Sequence, residues 1–151
     1  MRSVRLLLIM LSLSGSLLAA ESPFSGTWKF SPTKGHPTPP FPKSHIVHVA
    51  ANADSFKFSD EGVDDKDQPI KSSYEAKFDG KEYPITGDPS SDSVSLQRVN
   101  EHEIKITTKK AGKVMITLDV VVSKDGKTTT VHYVDHSQGK PVKGWSVYDK
   151  Q

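Results

Sequence analysis

The stretch EHEIKITTKKAGKVMITLDVVVSKDGKTTTVHYVDH, residues 101–136, decides the fold. Apolar side chains recur in it at every second position: Ile104 and Ile106, then Val114, Ile116, Leu118, Val120 and Val122, then Val131 and Tyr133. A period of two belongs to a β-strand with one buried face, because successive side chains leave opposite sides of the pleat. Ala111-Gly112 and Asp125-Gly126 interrupt the alternation with residues that tolerate positive φ. The spacing therefore predicts three antiparallel strands, 102–109, 113–122 and 127–136. A two-residue turn at Ala111-Gly112 pairs Ile106 with Thr117, whereas a three-residue loop with Gly112 left-handed pairs Ile106 with Ile116. The apolar pairing favours the second. With Asp125-Gly126 as a two-residue turn, Val131 and Tyr133 face Val122 and Val120, and His132 and His136 point outward.

The same pattern extends in both directions, and no long segment shows apolar residues at helical spacing. Further strands are predicted at 26–31, 45–51, 55–60, 71–79, 81–86, 93–98 and 143–149. Their inward faces carry Trp28 and Phe30, Phe56 and Phe58, Tyr74, Ala76 and Phe78, Val94 and Leu96, and Trp145 and Val147. Lys29, Lys57, Glu75, Lys77, Gln97, Glu103 and Lys105 take the opposite side. One wet face and one dry face imply an all-β antiparallel meander of about 8–10 strands, closed into a barrel or folded as a sandwich. Asp79-Gly80 as a two-residue turn sets Phe78 opposite Lys81 and brings Tyr83 and Ile85 onto the face of Phe78. Lys34 to Ser44 contains Pro37, Pro39, Pro40 and Pro42 and is expected to be a stiff extended strap outside the sheet. Asp60 to Gln68 reads as a polar loop.

Residues 1–20 have the form of a cleavable signal peptide: Arg2 and Arg5, an apolar run from Leu6 to Leu18, and Leu18-Ala19-Ala20 at the cleavage point. Ser12, Ser14, Gly15 and Ser16 break that run below the roughly 20 residues a membrane span needs. The expectation is export to a bacterial periplasm or exterior, with no stable membrane insertion after cleavage. Residues 21–151 then form a single domain of ordinary size. Losing two arginines brings the 20 basic residues level with the 18 acidic ones. Both signs alternate along the chain without a basic stripe, which excludes an electrostatic footprint for nucleic acid. The chain has no cysteine, hence no disulfide and no lipidation site at the cleavage point.

Gly26-Thr27-Trp28 opens the first strand, and an irregular strap and a run of antiparallel strands follow it. This resembles the lipocalins and the wider calycin group, whose signature is Gly-x-Trp on the first strand. The hairpin Phe78-Asp79-Gly80-Lys81-Glu82-Tyr83-Pro84 and the closing Val147-Tyr148-Asp149-Lys150-Gln151 are similar to a small secreted lipocalin-like family of unknown function. The resemblance implies a barrel closed at one end by Trp28, with an arginine packed over the indole. Arg98 is the only arginine beyond residue 20 and shares the parity of Val94 and Leu96, so it takes that role. It lies mid-meander, where the family places its arginine late.

Chemistry-bearing motifs are few. His45 and His48 are three residues apart on a strand and point to opposite faces, and His132 and His136 lie about 13 Å apart along theirs, so neither pair holds a metal and all four are expected in solvent. Asp60, Glu61, Asp64, Asp65 and Asp67 lack the spacing that organises a calcium loop. No nucleophile elbow, zinc-protease helix or phosphate loop is present in the sequence. The reading is a non-enzymatic, monomeric binding protein without cofactor or metal, holding a small apolar or amphipathic ligand among Phe30, Phe58, Tyr74, Phe78, Tyr83 and Arg98, with Lys81 as a further polar group. The alternative is a filled barrel that acts through its surface as an exported inhibitor or envelope interaction module.

Overall fold

The computed structural model describes residues 21–151, so the leader read at 1–20 lies outside the described residues. The described residues form ten strands: β1 (Gly26–His36), β2 (Ser44–Ala51), β3 (Ser55–Val63), β4 (Pro69–Lys77), β5 (Tyr83–Pro84), β6 (Ser93–Asn100), β7 (Glu103–Lys110), β8 (Lys113–Val122), β9 (Thr128–Asp135) and β10 (Val142–Lys150). They form one antiparallel sheet in the order β4-β3-β2-β1-β10-β9-β8-β7-β6-β5. The first strand pairs with the last, and the two ends of the sheet curl towards each other. At that seam Ser73 and Thr86 exchange both backbone hydrogen bonds, each 2.9 Å, and Asp79 bridges Gln97. The barrel is therefore nearly closed, which removes most of the exposed strand edge that an open sheet would present.

The seam corrects the expected hairpin at Asp79-Gly80. Of the expected ladder only the Ser73–Thr86 bridge forms, in the register of an Asp79-Gly80 turn; β4 and β5 are not hydrogen-bonded neighbours and stand at opposite ends of the strand order. Asp79 causes this, because its carboxylate accepts the Lys81 N–H at 3.0 Å and the Tyr83 hydroxyl at 2.9 Å, folding the chain locally rather than feeding a ladder. Gly80 N–H donates instead to Leu96 across the seam. Lys81 is consequently exposed rather than opposite Phe78. Parity survives, since Phe78, Tyr83 and Ile85 all pack against the core.

Two registers also differ from expectation. Lys110 pairs with Lys113, so Ala111 (φ 48°) and Gly112 (φ 78°) form a two-residue turn with both residues left-handed. A bulge beyond Thr108 then adds one residue to β8, and Ile106 faces Leu118, neither Thr117 nor Ile116. The bulge returns β8 to the parity that buries its apolar side. Between β8 and β9, Val122 pairs with Thr129 and Val120 with Val131, leaving Tyr133 against Leu118; a turn centred on Asp125-Gly126 dictates this register, two residues away from the expected pairing. The shift is by an even number, so the inward face is unchanged.

The proline segment contributes more strand than expected. β1 runs on to His36 through a bulge between Ser31 and Gly35, and Pro32, which has no N–H to donate, sits in that bulge. Only residues 37–43 remain as strap. Similarly β3 continues to Val63, so Asp60 and Glu61 are strand residues and the acidic loop shrinks to residues 64–68.

One end of the barrel is solid. Phe24, Trp28, Phe56, Ala76, Val94, Leu96, Ile104 and Val122 pack there as a continuous core. The turn before β1 plugs it: the Trp28 Nε1–H donates to the Phe24 carbonyl at 2.9 Å, and the Ser25 hydroxyl both donates to and accepts from the backbone of Ala51. Arg98 does not lie on Trp28. Its guanidinium sits 4.1 Å from the Phe78 ring centroid and donates to the Asn52 carbonyl at 2.9 Å, while Lys150 approaches the Trp28 ring. β6 is several strands removed from β1 around the barrel, which sets Arg98 against β4 instead. Arg98→Lys should cost about 1–2 kcal/mol in urea denaturation, because an ammonium cannot stack flat and fork to a carbonyl at once.

Trp145 is not on the inner face expected of it. Opposite His132 on the outer wall, it is 37% exposed and its ring lies 6.2 Å from the imidazole. Tyr148 occupies the inner face of β10 in its stead, against Phe30.

Candidate functional site

Above the packed end the barrel is hollow, with a cavity of about 310 Å³. Its walls follow from strand parity: Val47 and Val49 on β2, Phe56 and Phe58 on β3, Tyr74 on β4, Ile106 on β7, Ile116, Leu118 and Val120 on β8, and Val131 on β9. Phe58 and Tyr74 are cross-strand partners and stack with centroids 4.7 Å apart. The volume lies at the lower end of the range of small-molecule pockets, and an apolar wall with a few convergent polar groups is their usual construction.

Four of the polar residues on its wall, His45, Asp60, Ser72 and Tyr148, form one cluster. His45 is on the inward parity of β2, with Val47 and Val49; Asp60 is on that of β3, with Phe56 and Phe58; Tyr148 enters from β10. His45 Nε2 lies 3.0 Å from Asp60 Oδ2, and Nδ1 lies 2.9 Å from the Tyr148 hydroxyl. The other Asp60 oxygen accepts the Ser72 N–H at 2.6 Å and the Ser72 hydroxyl at 2.8 Å. A carboxylate taken out of water must be paired and hydrogen-bonded to persist, and this one is held from three sides. Burial acts to raise the Asp60 carboxyl, but the hydrogen bonds from His45 and Ser72 and the attraction of His45 outweigh it, leaving the group below its ordinary value. Burial, reinforced by the Asp60 charge, pushes the hydroxyls of Tyr74 and Tyr148 well up. Both therefore remain neutral phenols at any physiological pH.

The expectation that His45 is solvated, and that Asp60 belongs to an acidic loop, is overturned here. Both residues stand on inward positions of strands, and each satisfies the other. His48, three residues from His45, is on the outer face beside Thr27 and Glu61, as the alternation requires. Among the described residues no three His, Cys, Asp or Glu side chains converge as a metal site.

Of the six residues expected to contact a ligand, Phe58 and Tyr74 line the cavity. Phe30 is buried beside it, between Phe41 and Tyr148. Phe78 and Arg98 belong to the closed end, and Tyr83 is bound to Asp79 at the seam. Sequence reasoning missed Tyr148, His45 and Asp60. The signal for His45 was present, since it shares parity with Val47 and Val49.

The strap crosses from β1 to β2 on the cavity side. The Thr38 N–H donates to the Tyr133 hydroxyl at 2.7 Å, and the Thr38 hydroxyl donates to the Lys143 carbonyl at 2.9 Å. Phe41 covers Phe30 from outside. Gly144 makes room for this latch, because a Cβ there would overlap the Tyr133 hydroxyl. Gly144→Ala should therefore release Thr38, seen as faster amide hydrogen exchange at Thr38 with little change at the packed end of the barrel.

No protein-family model matches the chain, and comparison with curated proteins yields no match. No helix among the described residues is long and apolar enough to cross a membrane.

Proposed function

We propose that this chain is an exported, lipocalin-like, non-enzymatic binding protein that holds one small apolar or amphipathic molecule inside its barrel. The observation that carries this reading is the cavity of about 310 Å³, walled by aromatic and aliphatic side chains and furnished with a single hydrogen-bonded cluster. An interior of that kind favours carriage over the alternative of a filled barrel working through its surface. The lipocalin reading draws on Gly26-Thr27-Trp28 opening β1 and on the burial of Trp28 at the closed end. Export draws on residues 1–20. Neutral phenols at Tyr74 and Tyr148 suit recognition better than nucleophilic catalysis. The charged outer faces of the strands fit a monomer.

The test is thermal unfolding with a panel of small apolar and amphipathic molecules. A ligand held by the native state alone raises Tm, the stabilisation growing with the logarithm of its free concentration over its dissociation constant. Members of the panel small enough for the cavity should raise Tm, and Val49→Phe with Val131→Phe, which fills it, should abolish the rise. A panel without effect, or one equally effective on the filled variant, refutes the proposal.

A further inference from the structure

The charges around the cavity are one-sided. Asp60 and Asp88 line it, whereas among the described residues neither lysine nor arginine does. His45 is the one basic side chain on its wall among the described residues, and it already binds Asp60 and Tyr148. Asp88 directs one oxygen to Ser90, and among the described residues no cation is paired with it. An anionic head group would therefore enter a low-dielectric space that holds a carboxylate and offers no free counter-charge.

Unused hydrogen-bonding capacity is also present in the cavity wall. The Thr129 hydroxyl, on the β9 residue opposite Tyr148, is buried, with the residue only 7% exposed, and has no partner. Buried polar atoms in native proteins are overwhelmingly satisfied, so an orphan on a cavity wall marks a place an occupant can fill. Asp60 Oδ2 receives one hydrogen bond, from His45, and has capacity for a second.

We infer that the cavity selects a compact amine, an apolar body carrying a protonated nitrogen, over carboxylate-headed and neutral molecules of the same size. The inference rests on the binding-protein reading above. The ammonium supplies the donors that Asp60 Oδ2 and the Thr129 hydroxyl accept, and it offsets the surplus of carboxylate. A charge-assisted hydrogen bond in a dry site is roughly twice as strong as a neutral one, and juxtaposed like charges cost several kcal/mol.

The test is calorimetric titration of the purified protein at neutral pH with three molecules that share one body: phenethylamine, phenethyl alcohol and phenylacetate. The amine should bind at least about tenfold tighter than the alcohol, and the acid weakest of all. Asp60→Asn should level the series, and Thr129→Val, which keeps the shape, should weaken the amine alone. The ranking on the unmodified protein decides the matter even where a variant folds poorly. An acid or alcohol that binds as tightly as the amine overturns the inference and leaves the binding-protein reading intact. Failure of all three while another apolar molecule raises Tm does the same. Failure of every ligand removes both.

Discussion

Trp28→Ala is expected to lower the stability of the barrel by about 3–5 kcal/mol. The indole is 3% exposed, at the meeting point of the packed end and the cavity. Truncation deletes its contacts with the buried core and joins the space it vacates to the existing void, so neighbours on opposite strands cannot collapse to fill it. The Phe24 carbonyl also loses its donor, which loosens the turn that plugs the barrel. Trp28→Phe should retain most of the packing and lose about 1–2 kcal/mol through the orphaned carbonyl. Trp145→Ala is the control: that ring is on the outer wall, and its removal should change stability by less than about 1 kcal/mol. Urea unfolding of the three variants against the parent checks the order.

Asp60→Ala should cost about 3 kcal/mol at neutral pH, since it leaves the half-buried His45 and Ser72 without their acceptor. The dependence on pH has a definite sign. The Asp60 carboxyl is lowered in the folded protein, so its contribution is complete above the ordinary carboxylate value, about 3.9. It is lost as pH falls from there through the lower folded value. The gap between parent and variant should therefore be widest at neutral pH and should narrow steadily below about pH 4. Unfolding free energies measured at neutral and at acid pH test this; a gap that stays constant contradicts the role given to the carboxylate.

Much of the fold is legible from strand parity. Ile104 and Ile106, Val94 and Leu96, and Phe56 and Phe58 all face inward as their alternation requires, because a barrel with one wet face admits no other placement. Register is less legible, since it depends on turn length and bulges. Ile106 meets Leu118 only because β8 takes an extra residue after a tight turn, and nothing in the local composition marks that bulge. Asp79-Gly80 misleads for another reason: the side chain of Asp79 caps its own turn, so the segment crosses the seam instead of forming a hairpin. The site was harder to read than the fold. His45 shares parity with Val47 and Val49, but Asp60 opens an acidic run, and only the pairing of β2 with β3, with Ser72 from β4, shows that the two satisfy one another indoors. Arg98 faces inward as its parity predicts, but its partner is fixed by which strand lies across the barrel, a property of closure rather than of sequence spacing.

The central claim is that the hollow half of the barrel takes up a small molecule, and Trp28 on its wall can report it directly. In a Trp145→Phe background the remaining indole fluorescence comes from Trp28 alone. Titration with N-phenylnaphthylamine should quench that emission by energy transfer, saturating at one molecule per chain. The signal should vanish when Val49→Phe and Val131→Phe fill the space. Quenching that never saturates, or that persists undiminished in the filled variant, would place the probe on the surface and contradict the account.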